Sequence, residues 1–248
     1  MKKYLSIFML HIRSTFYKIL LIFAGMTGLQ IFLLSQEFTR MLNLWETDSQ
    51  FYLSLDALIT ESGIHLVFLV GFLLITLILA LNGFEFKEKI SYTIRRLSLS
   101  EKHFFLLQGF YGSMIYLLLF FVEIGTIAVF SLYYLKTVPD SFYSNQTLFL
   151  TFYTNDFLHS LLPLEETVRV VRNILLVIAF GYTGAYQSYS QRRGKKQWMV
   201  LLLTFLTILN FKSEIGTFIG DLFLIWISAA MLFIIGWNMI KGGTGYEN

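Results

Sequence analysis

Residues 104–135 read FFLLQGFYGSMIYLLLFFVEIGTIAVFSLYYL and contain one charged side chain, Glu123. The stretch shows none of the polar–apolar alternation of a half-buried β-strand, so its length and apolarity favour an α-helix. About 20 helical residues cross a bilayer core of about 30 Å, at a rise of about 1.5 Å per residue. A helix over the whole stretch would be about 48 Å long. We therefore expect it to cross a membrane and to project beyond it.

The composition of the whole chain is also that of an integral membrane protein. Of its 248 residues, 56% are hydrophobic and 14% are charged, and the mean hydropathy is +0.63. The chain has no cysteine, which excludes a disulfide framework, a thiolate nucleophile and a zinc–thiolate site. Its four histidines are isolated in the sequence, so no metal site is expected: His11, His65, His103 and His159.

Six apolar stretches approach the length of a membrane span. They lie at about 16–35, 64–82, 104–135, 170–188, 198–211 and 217–240. The fifth is short, because its 14 residues cover about 21 Å before a polar patch at 210–214. Spans five and six are therefore expected to form a broken or re-entrant hairpin. The predicted fold class is an all-α membrane protein with six transmembrane helices in one domain, residues 1–248.

The N-terminal segment is predicted to lie on the membrane surface. On a helical wheel its polar side chains share one arc and its apolar side chains share the other. The polar arc holds Lys3, Ser6, His11, Arg13, Ser14 and Lys18. Residues 2–15 should therefore form an interfacial amphipathic helix, with its cationic face against an anionic leaflet, before the chain turns into the first span.

The charges of the connecting segments predict the orientation, because basic loops resist translocation. The N-terminal segment has a net charge of +4, residues 83–103 have +2, residues 188–197 have +4, and the C-terminal tail has zero. Residues 36–63 have −4 and residues 136–169 have −2. Basic and acidic connections alternate along the chain, so both termini are predicted to be cytoplasmic. The expected location is the plasma membrane of a bacterium, as a multi-pass protein.

The densest mixture of charges lies between the second and third predicted spans. Residues 84–105 read FEFKEKISYTIRRLSLSEKHFF. Residues 85–96 can form a short amphipathic helix, and Ser98 with Glu101 can form a capping box ahead of the third span, with Ser100 as the competing N-cap. Such a helix could lie on the membrane or bind a soluble partner. The alternative is a solvated loop whose charges only fix the topology.

The sequence EKISYTIRRLSLSEKHFFLLQ within and after this segment resembles a pattern that follows the second span of type-2 ABC exporter permeases. That pattern is Glu-x-x-x-Gly-Thr, then basic and hydrophobic residues, then Leu-x-x-Ser-[Arg/Lys], and in the family it forms a coupling helix. Ser91-Tyr92 stand where many members have Glu-Gly or Arg-Gly. The chain length, the N-terminal helix, the six spans and the tight outer hairpin before the last span are similar too. Carried over, the coupling residues are Glu85 or Glu88 for the acid, Thr93, the basic pair Arg95 and Arg96, and Ser98 or Ser100.

The resemblance implies the permease subunit of an ABC transporter that exports a hydrophobic or amphipathic substrate, such as a drug, a lipid or an antimicrobial peptide. ATP and Mg²⁺ would bind two separate ATPase subunits, which fits the absence of a G-x-x-x-x-G-K-[ST] loop here. A second permease subunit, identical or paralogous, would complete the assembly in membrane lipid. The chain would hold no cofactor, bind no nucleic acid and be no enzyme on its own. The alternatives are a non-transporting scaffold or sensor, and a membrane enzyme that uses Glu123 and histidines.

Three charged residues, Glu123, Arg172 and Asp221, lie in or near predicted spans, where they could line a substrate path or form polar contacts between helices. A lone carboxylate in hydrocarbon is costly, so Glu123 should be protonated, pair with Arg172 or face a polar cavity. Asp221 follows the pattern Gly216-x-x-x-Gly220. Small residues at this spacing let helices approach closely, within the chain or between two copies. Two more such patterns are Gly181-x-x-x-Ala185 and Gly109-x-x-x-Ser113.

Overall fold

The computed structural model describes residues 2–47, 54–85, 101–139, 144, 146–192, 195, 197–212 and 218–241. These residues form helices and no strand, so the predicted all-α class is confirmed. The helices are α1 (Lys2–Thr47), α2 (Leu55–Glu61), α3 (Ile64–Glu85), α4 (Glu101–Thr137), α5 (Thr147–Thr154), α6 (Asp156–Leu161), α7 (Thr167–Arg192), α8 (Met199–Lys212) and α9 (Phe218–Lys241).

Four of these helices are long and apolar enough to cross a membrane. They comprise Thr15–Thr47 of α1, Lys102–Thr137 of α4, Thr167–Gln191 of α7 and Phe218–Lys241 of α9. A fifth crossing results if α2 and α3, which meet at an angle of 50°, count as one bent span. The predicted fifth span, α8, is apolar but has only 14 residues. The chain is therefore a multi-pass membrane protein, and every predicted span coincides with a helix.

The N-terminal helix differs from the prediction. Helix α1 runs without a break from Lys2 to Thr47, so the chain does not turn between an interfacial helix at 2–15 and a span that begins at residue 16. No proline lies in this segment to interrupt the backbone hydrogen bonds. Thr15 and Ile19 are already buried in the bundle, and the Thr15 hydroxyl lies 2.5 Å from the Tyr111 hydroxyl of α4. Packing thus begins before the predicted boundary.

The bend between α2 and α3 lies within a segment predicted to be a loop. Helix α2 begins after Ser54, whose side chain accepts a hydrogen bond from the Ala57 N–H, and it buries Leu55 and Leu58. The next helix starts after Gly63, whose φ of +68° lies in the left-handed region that side chains disfavour. Gly63 therefore permits the sharp change of direction that lays α2 against the bundle.

The helix ends fall into two groups, one at each end of the bundle. At one end, a buried cluster joins the start of α4 to the ends of α7 and α9 through Phe105, Tyr189 and Met239. At the opposite end, a second cluster joins the second half of α1 and of α4 to α2 and α5, through Phe38, Tyr134 and Phe152 among others. We call these the basic end and the acidic end, after the net charges of the sequence segments that border them.

Candidate functional site

A fully satisfied arginine lies inside the acidic end of the bundle. Arg172 of α7 is 1% exposed and forms an ion pair with Asp221 of α9. Its Nη1 also donates to the Asn210 side-chain oxygen of α8, over 3.3 Å. Its Nη2 donates to the Ser160 carbonyl over 2.9 Å and to the Ser160 hydroxyl over 2.8 Å, while Nε donates to the Asn173 oxygen over 3.1 Å. All edges of the guanidinium are occupied by the protein itself.

Arg172 and Asn173 also bind the C-terminal end of α6. The Asn173 amide donates to the carbonyls of Ser160 and Leu161, over 2.9 and 3.2 Å. These are last-turn carbonyls of a helix, which have no partner within the helix itself. The positive charge of Arg172 at this C-terminus also complements the helix dipole. Arg172 and Asn173 therefore fasten the segment between α4 and α7 to the transmembrane bundle.

A second arginine extends the network towards the surface. The Arg169 Nε lies 2.6 Å from Glu166 Oε2 and 3.3 Å from Asp221 Oδ2. His159 Nε2 lies 3.8 Å from the other oxygen of Glu166. Two arginines thus face two carboxylates, and the charges of the four side chains balance. Buried ions are tolerated when they are paired and hydrogen-bonded in this way.

Glu123 lies elsewhere and does not pair with Arg172. It is 0% exposed on α4, and its Oε2 accepts a hydrogen bond of 2.6 Å from the side-chain amide of Gln30, which is 0% exposed on α1. Of the three alternatives for Glu123, the ion pair with Arg172 is therefore wrong, because Asp221 holds that arginine. Sequence reasoning missed Gln30. The available signal was an amide within an apolar span, which requires a polar partner there.

Hydroxyl groups connect further pairs of helices within the bundle. The Tyr116 hydroxyl of α4 donates to Thr76 of α3 over 2.9 Å, and both residues are buried. The Asn238 amide of α9 donates to the Tyr186 hydroxyl of α7 over 3.1 Å. Such hydrogen bonds help helices to associate in a membrane, because contact between apolar side chains gives no hydrophobic driving force when the surrounding lipid is equally apolar.

Helices α4 and α7 cross at glycines. A Cβ placed on Gly112 would lie 2.9 Å from the Cα of Gly181, and one placed on Gly181 would lie 2.5 Å from the Gly109 carbonyl oxygen. The Gly109-x-x-x-Ser113 and Gly181-x-x-x-Ala185 patterns therefore pack against each other within the chain. Gly220 lies on α9 next to Asp221, whereas Gly216 lies outside the described residues.

Of the predicted coupling residues, Glu85 alone lies within the described part of the chain. Glu85 is the last residue of α3. The other four, Glu88, Thr93, Arg95 and Arg96, lie outside the described residues. Because α3 ends and α4 begins at the basic end of the bundle, the connection that carries these residues joins two helices there.

The interior between α3, α4, α7 and α8 is apolar and filled with aromatic rings. The centroid of the Phe72 ring lies 4.9 Å from that of Phe180, and the Tyr116 ring lies 5.1 Å from that of Phe180. Phe211 adds its ring below the Arg172 guanidinium, 5.1 Å from ring centroid to Cζ. Within the described part of the chain, no group of three or more acidic or histidine side chains could hold a metal ion.

Comparison of this chain with protein-family models, with curated proteins and with solved structures gave no match.

Proposed function

We propose that the chain is the transmembrane permease subunit of an ABC transporter, which exports a hydrophobic or amphipathic substrate with energy from ATP hydrolysis on a partner ATPase. One observation carries the proposal. The ends of α7 and α9 and the start of α4 lie together at one end of the bundle, where Leu79 near the end of α3 lies beside Gln108 of α4, and the adjoining connections carry the positive charge of the sequence. The connection between α3 and α4, whose sequence resembles a coupling helix, joins two helices at that end.

The geometry of α4 supports a role in coupling. Its 37 residues give a length of about 55 Å, which exceeds a bilayer core of about 30 Å. It starts at Glu101, shortly after the proposed coupling residues, and crosses α7 in close contact at Gly112 and Gly181. A displacement at the start of α4 would therefore act on α7, which holds the acidic end through Arg172. In this proposal α8 and α9 form the short last hairpin, six segments cross the membrane, and both termini are cytoplasmic.

The assembly would contain two ATPase subunits and a second permease subunit, identical or paralogous. ATP and Mg²⁺ would bind the ATPase subunits. The apolar, aromatic interior of this chain, whose polar groups at Arg172 are already paired, supports the proposed substrate class. Aromatic side chains of this kind suit drugs, lipids or amphipathic peptides and offer little to a strongly hydrated substrate.

Copurification from native membranes tests the proposal. Full-length tagged protein should retain an ATPase that carries a phosphate-binding loop, and ATP hydrolysis should copurify with it. Reversal of two charges in the double variant Arg95→Glu with Arg96→Glu should reduce the retained ATPase at least about tenfold, since basic contacts to a partner would become repulsive. Lys195→Glu is the matched control, because Lys195 is exposed in the other basic connection of the same end; it should retain the ATPase.

A scaffold or sensor without transport is the second candidate function. The observation in its favour is the closed interior, where the rings of Phe72, Tyr116 and Phe180 fill the space between helices. If the chain is a scaffold or sensor, the copurification test should give the opposite result. Wild-type protein should then purify without any ATPase, and the charge reversal at Arg95 and Arg96 should leave its activity unchanged.

A further inference from the structure

Glu123 and Gln30 lie far from the ends of their helices and are enclosed by apolar side chains. Both are fully buried, and they face each other between α4 and α1. Residues one turn before and after each of them share its helix face. All four of those residues are buried and apolar: Met26 and Leu34 on α1, Leu119 and Ile127 on α4. The pair is therefore an isolated polar site inside an apolar interface.

The hydrogen bonding of this pair is incomplete in one specific way. The Gln30 amide donates to Glu123 Oε2 over 2.6 Å. The other carboxyl oxygen, Glu123 Oε1, and the amide oxygen, Gln30 Oε1, are both buried and have no hydrogen-bond partner among the described residues. An ionised carboxylate and an amide oxygen can only accept. Two acceptor oxygens of the site are therefore without a partner, and an ionised carboxylate supplies no donor to either of them.

No cation in the described part of the chain supplies that donor. Arg172 is held by Asp221, Ser160 and Asn173. Three other titratable groups, on α4, α1 and α3, have contacts elsewhere. Tyr116 donates to Thr76, Glu37 pairs with Arg40, and the His65 ring lies against Phe157. None of these groups forms a hydrogen bond or an ion pair with Glu123.

One added proton resolves the deficit. A protonated carboxyl donates once, and a carboxylic acid with a primary amide can form two reciprocal hydrogen bonds: amide N–H to acid C=O, and acid O–H to amide C=O. The opposite orientation of the amide leads to the same conclusion, because it would place two oxygens 2.6 Å apart with no hydrogen unless the carboxyl carried one.

We infer that the Glu123–Gln30 pair is a proton-binding site within the membrane-embedded bundle, at the contact between α1 and α4. The carboxyl binds one proton and becomes a neutral acid, which the amide of Gln30 holds in place. Release of the proton would leave an uncompensated carboxylate between two apolar helix faces and would weaken the contact between α1 and α4. The inference concerns this chain alone and does not depend on the ATPase partner.

Carbodiimide labelling of the wild-type protein in membranes is the first test. Dicyclohexylcarbodiimide is apolar and modifies protonated carboxyl groups in apolar surroundings. At neutral pH, peptide mass mapping should find the modification on Glu123 and none on Glu46, which is exposed to solvent on α1. The modified fraction should fall as the pH is raised. Absence of modification at Glu123 from mildly acidic to neutral pH would overturn the inference.

Infrared spectroscopy of purified full-length protein is the second test, with two variants. The Glu123→Gln variant should lose one carbonyl stretching band of a protonated carboxylic acid, while Gln30→Leu should keep that band and move it to higher frequency, since the carbonyl loses its amide donor. Spectra without an acid band that depends on Glu123 would show an ionised carboxylate and overturn the inference. If either variant fails to fold, the labelling of wild-type protein still decides the result.

Thermal unfolding gives a readout that a merely structural contact would not produce. Glu123→Gln retains the donor and acceptor of the neutral acid at every pH. The melting temperature of wild-type protein should therefore match that of Glu123→Gln at low pH and fall below it as the pH rises, because only the wild-type group can lose its proton. Parallel pH profiles of the two proteins would contradict the inference.

Discussion

Arg172 shows how one charged residue is stabilised inside an apolar bundle. Its guanidinium is held by groups on three other elements: Ser160 on α6, Asn210 on α8 and Asp221 on α9. A planar group with five N–H donors suits such a site, since a lysine ammonium could not reach the same set of partners. The residue therefore determines how four elements meet at the acidic end.

Removal of the charge of Asp221 should be strongly destabilising. In Asp221→Asn, the buried Arg172 and the partly buried Arg169 both lose their shared carboxylate. An uncompensated charge of this kind costs about 3 to 5 kcal/mol in the free energy of unfolding. Thermal unfolding in detergent should show this as a large decrease of the melting temperature.

The matched control for this variant is an exposed ion pair. Arg40 is 64% exposed and lies 3.1 Å from Glu37, so Arg40→Gln should cost at most about 1 kcal/mol. The double variant Arg172→Met with Asp221→Leu should be more stable than Asp221→Asn, because it leaves neither Arg172 nor Asp221 charged in the bundle. A melting temperature of Asp221→Asn within the range of Arg40→Gln would contradict this account of the network.

The charged side chains could be identified from the sequence, but their partners could not. Glu123, Arg172 and Asp221 were recognisable because charges are rare in apolar spans. Arg172 pairs with Asp221, which lies 49 positions further along the chain, because α7 lies beside α9. The role of Gln30 depends likewise on α1 lying beside α4. Periodicity along one helix contains no information about either distance.

At the scale of elements, the crossing of α4 and α7 depends on the absence of side chains. Gly112 and Gly181 approach so closely that a methyl group on either would overlap backbone atoms of the other helix. Close approach of helix backbones increases their van der Waals contact, which is a main source of helix association in lipid. This crossing places Tyr116 and Phe180 in contact, at the centre of the bundle.

A methyl group at this crossing should separate the two helices. Gly181→Ala should lower the free energy of unfolding by about 1 to 3 kcal/mol, because a Cβ there would lie 2.5 Å from the Gly109 carbonyl oxygen. Gly184→Ala, one turn further along α7, is the control, since no atom lies within 4 Å of an added Cβ. It should be neutral, or more stable by up to about 1 kcal/mol through helix propensity. Equal losses in both variants would exclude a specific close contact at Gly181.

Helix positions were largely predictable, whereas breaks and continuations were not. Apolar length predicted all the long helices and the excess length of α4, because a span needs a minimum number of residues. The continuity of α1 was not predicted. The amphipathic pattern of residues 2–15 suggested a separate surface helix followed by a turn, whereas α1 continues straight into the bundle, where Thr15 and Ile19 are buried. The bend at Gly63 was also missed, because a single glycine gives no signal of whether the chain adopts a positive φ there.

At the scale of the whole molecule, the two ends of the bundle should face opposite sides of the membrane. The chain has no cysteine, so an introduced one is the only thiol. Ser144 and Lys195 are both exposed. Ser144 lies in the acidic segment 136–169, and Lys195 lies in the basic segment 188–197. A membrane-impermeant maleimide should modify Ser144→Cys in intact cells and Lys195→Cys only after permeabilisation. The reverse pattern would contradict the proposed orientation.

Site-specific photocrosslinking tests whether the connection between α3 and α4 contacts an ATPase at the basic end, as proposed. A photoreactive amino acid is introduced at Thr93 of the full-length protein in native membranes, and the same amino acid at Ser144 is the control from the other end. We expect a crosslinked product at Thr93 that contains an ATPase with a phosphate-binding loop, and no such product at Ser144. A Thr93 variant that is present at the level of the wild-type protein and crosslinks no ATPase would contradict the proposed coupling contact.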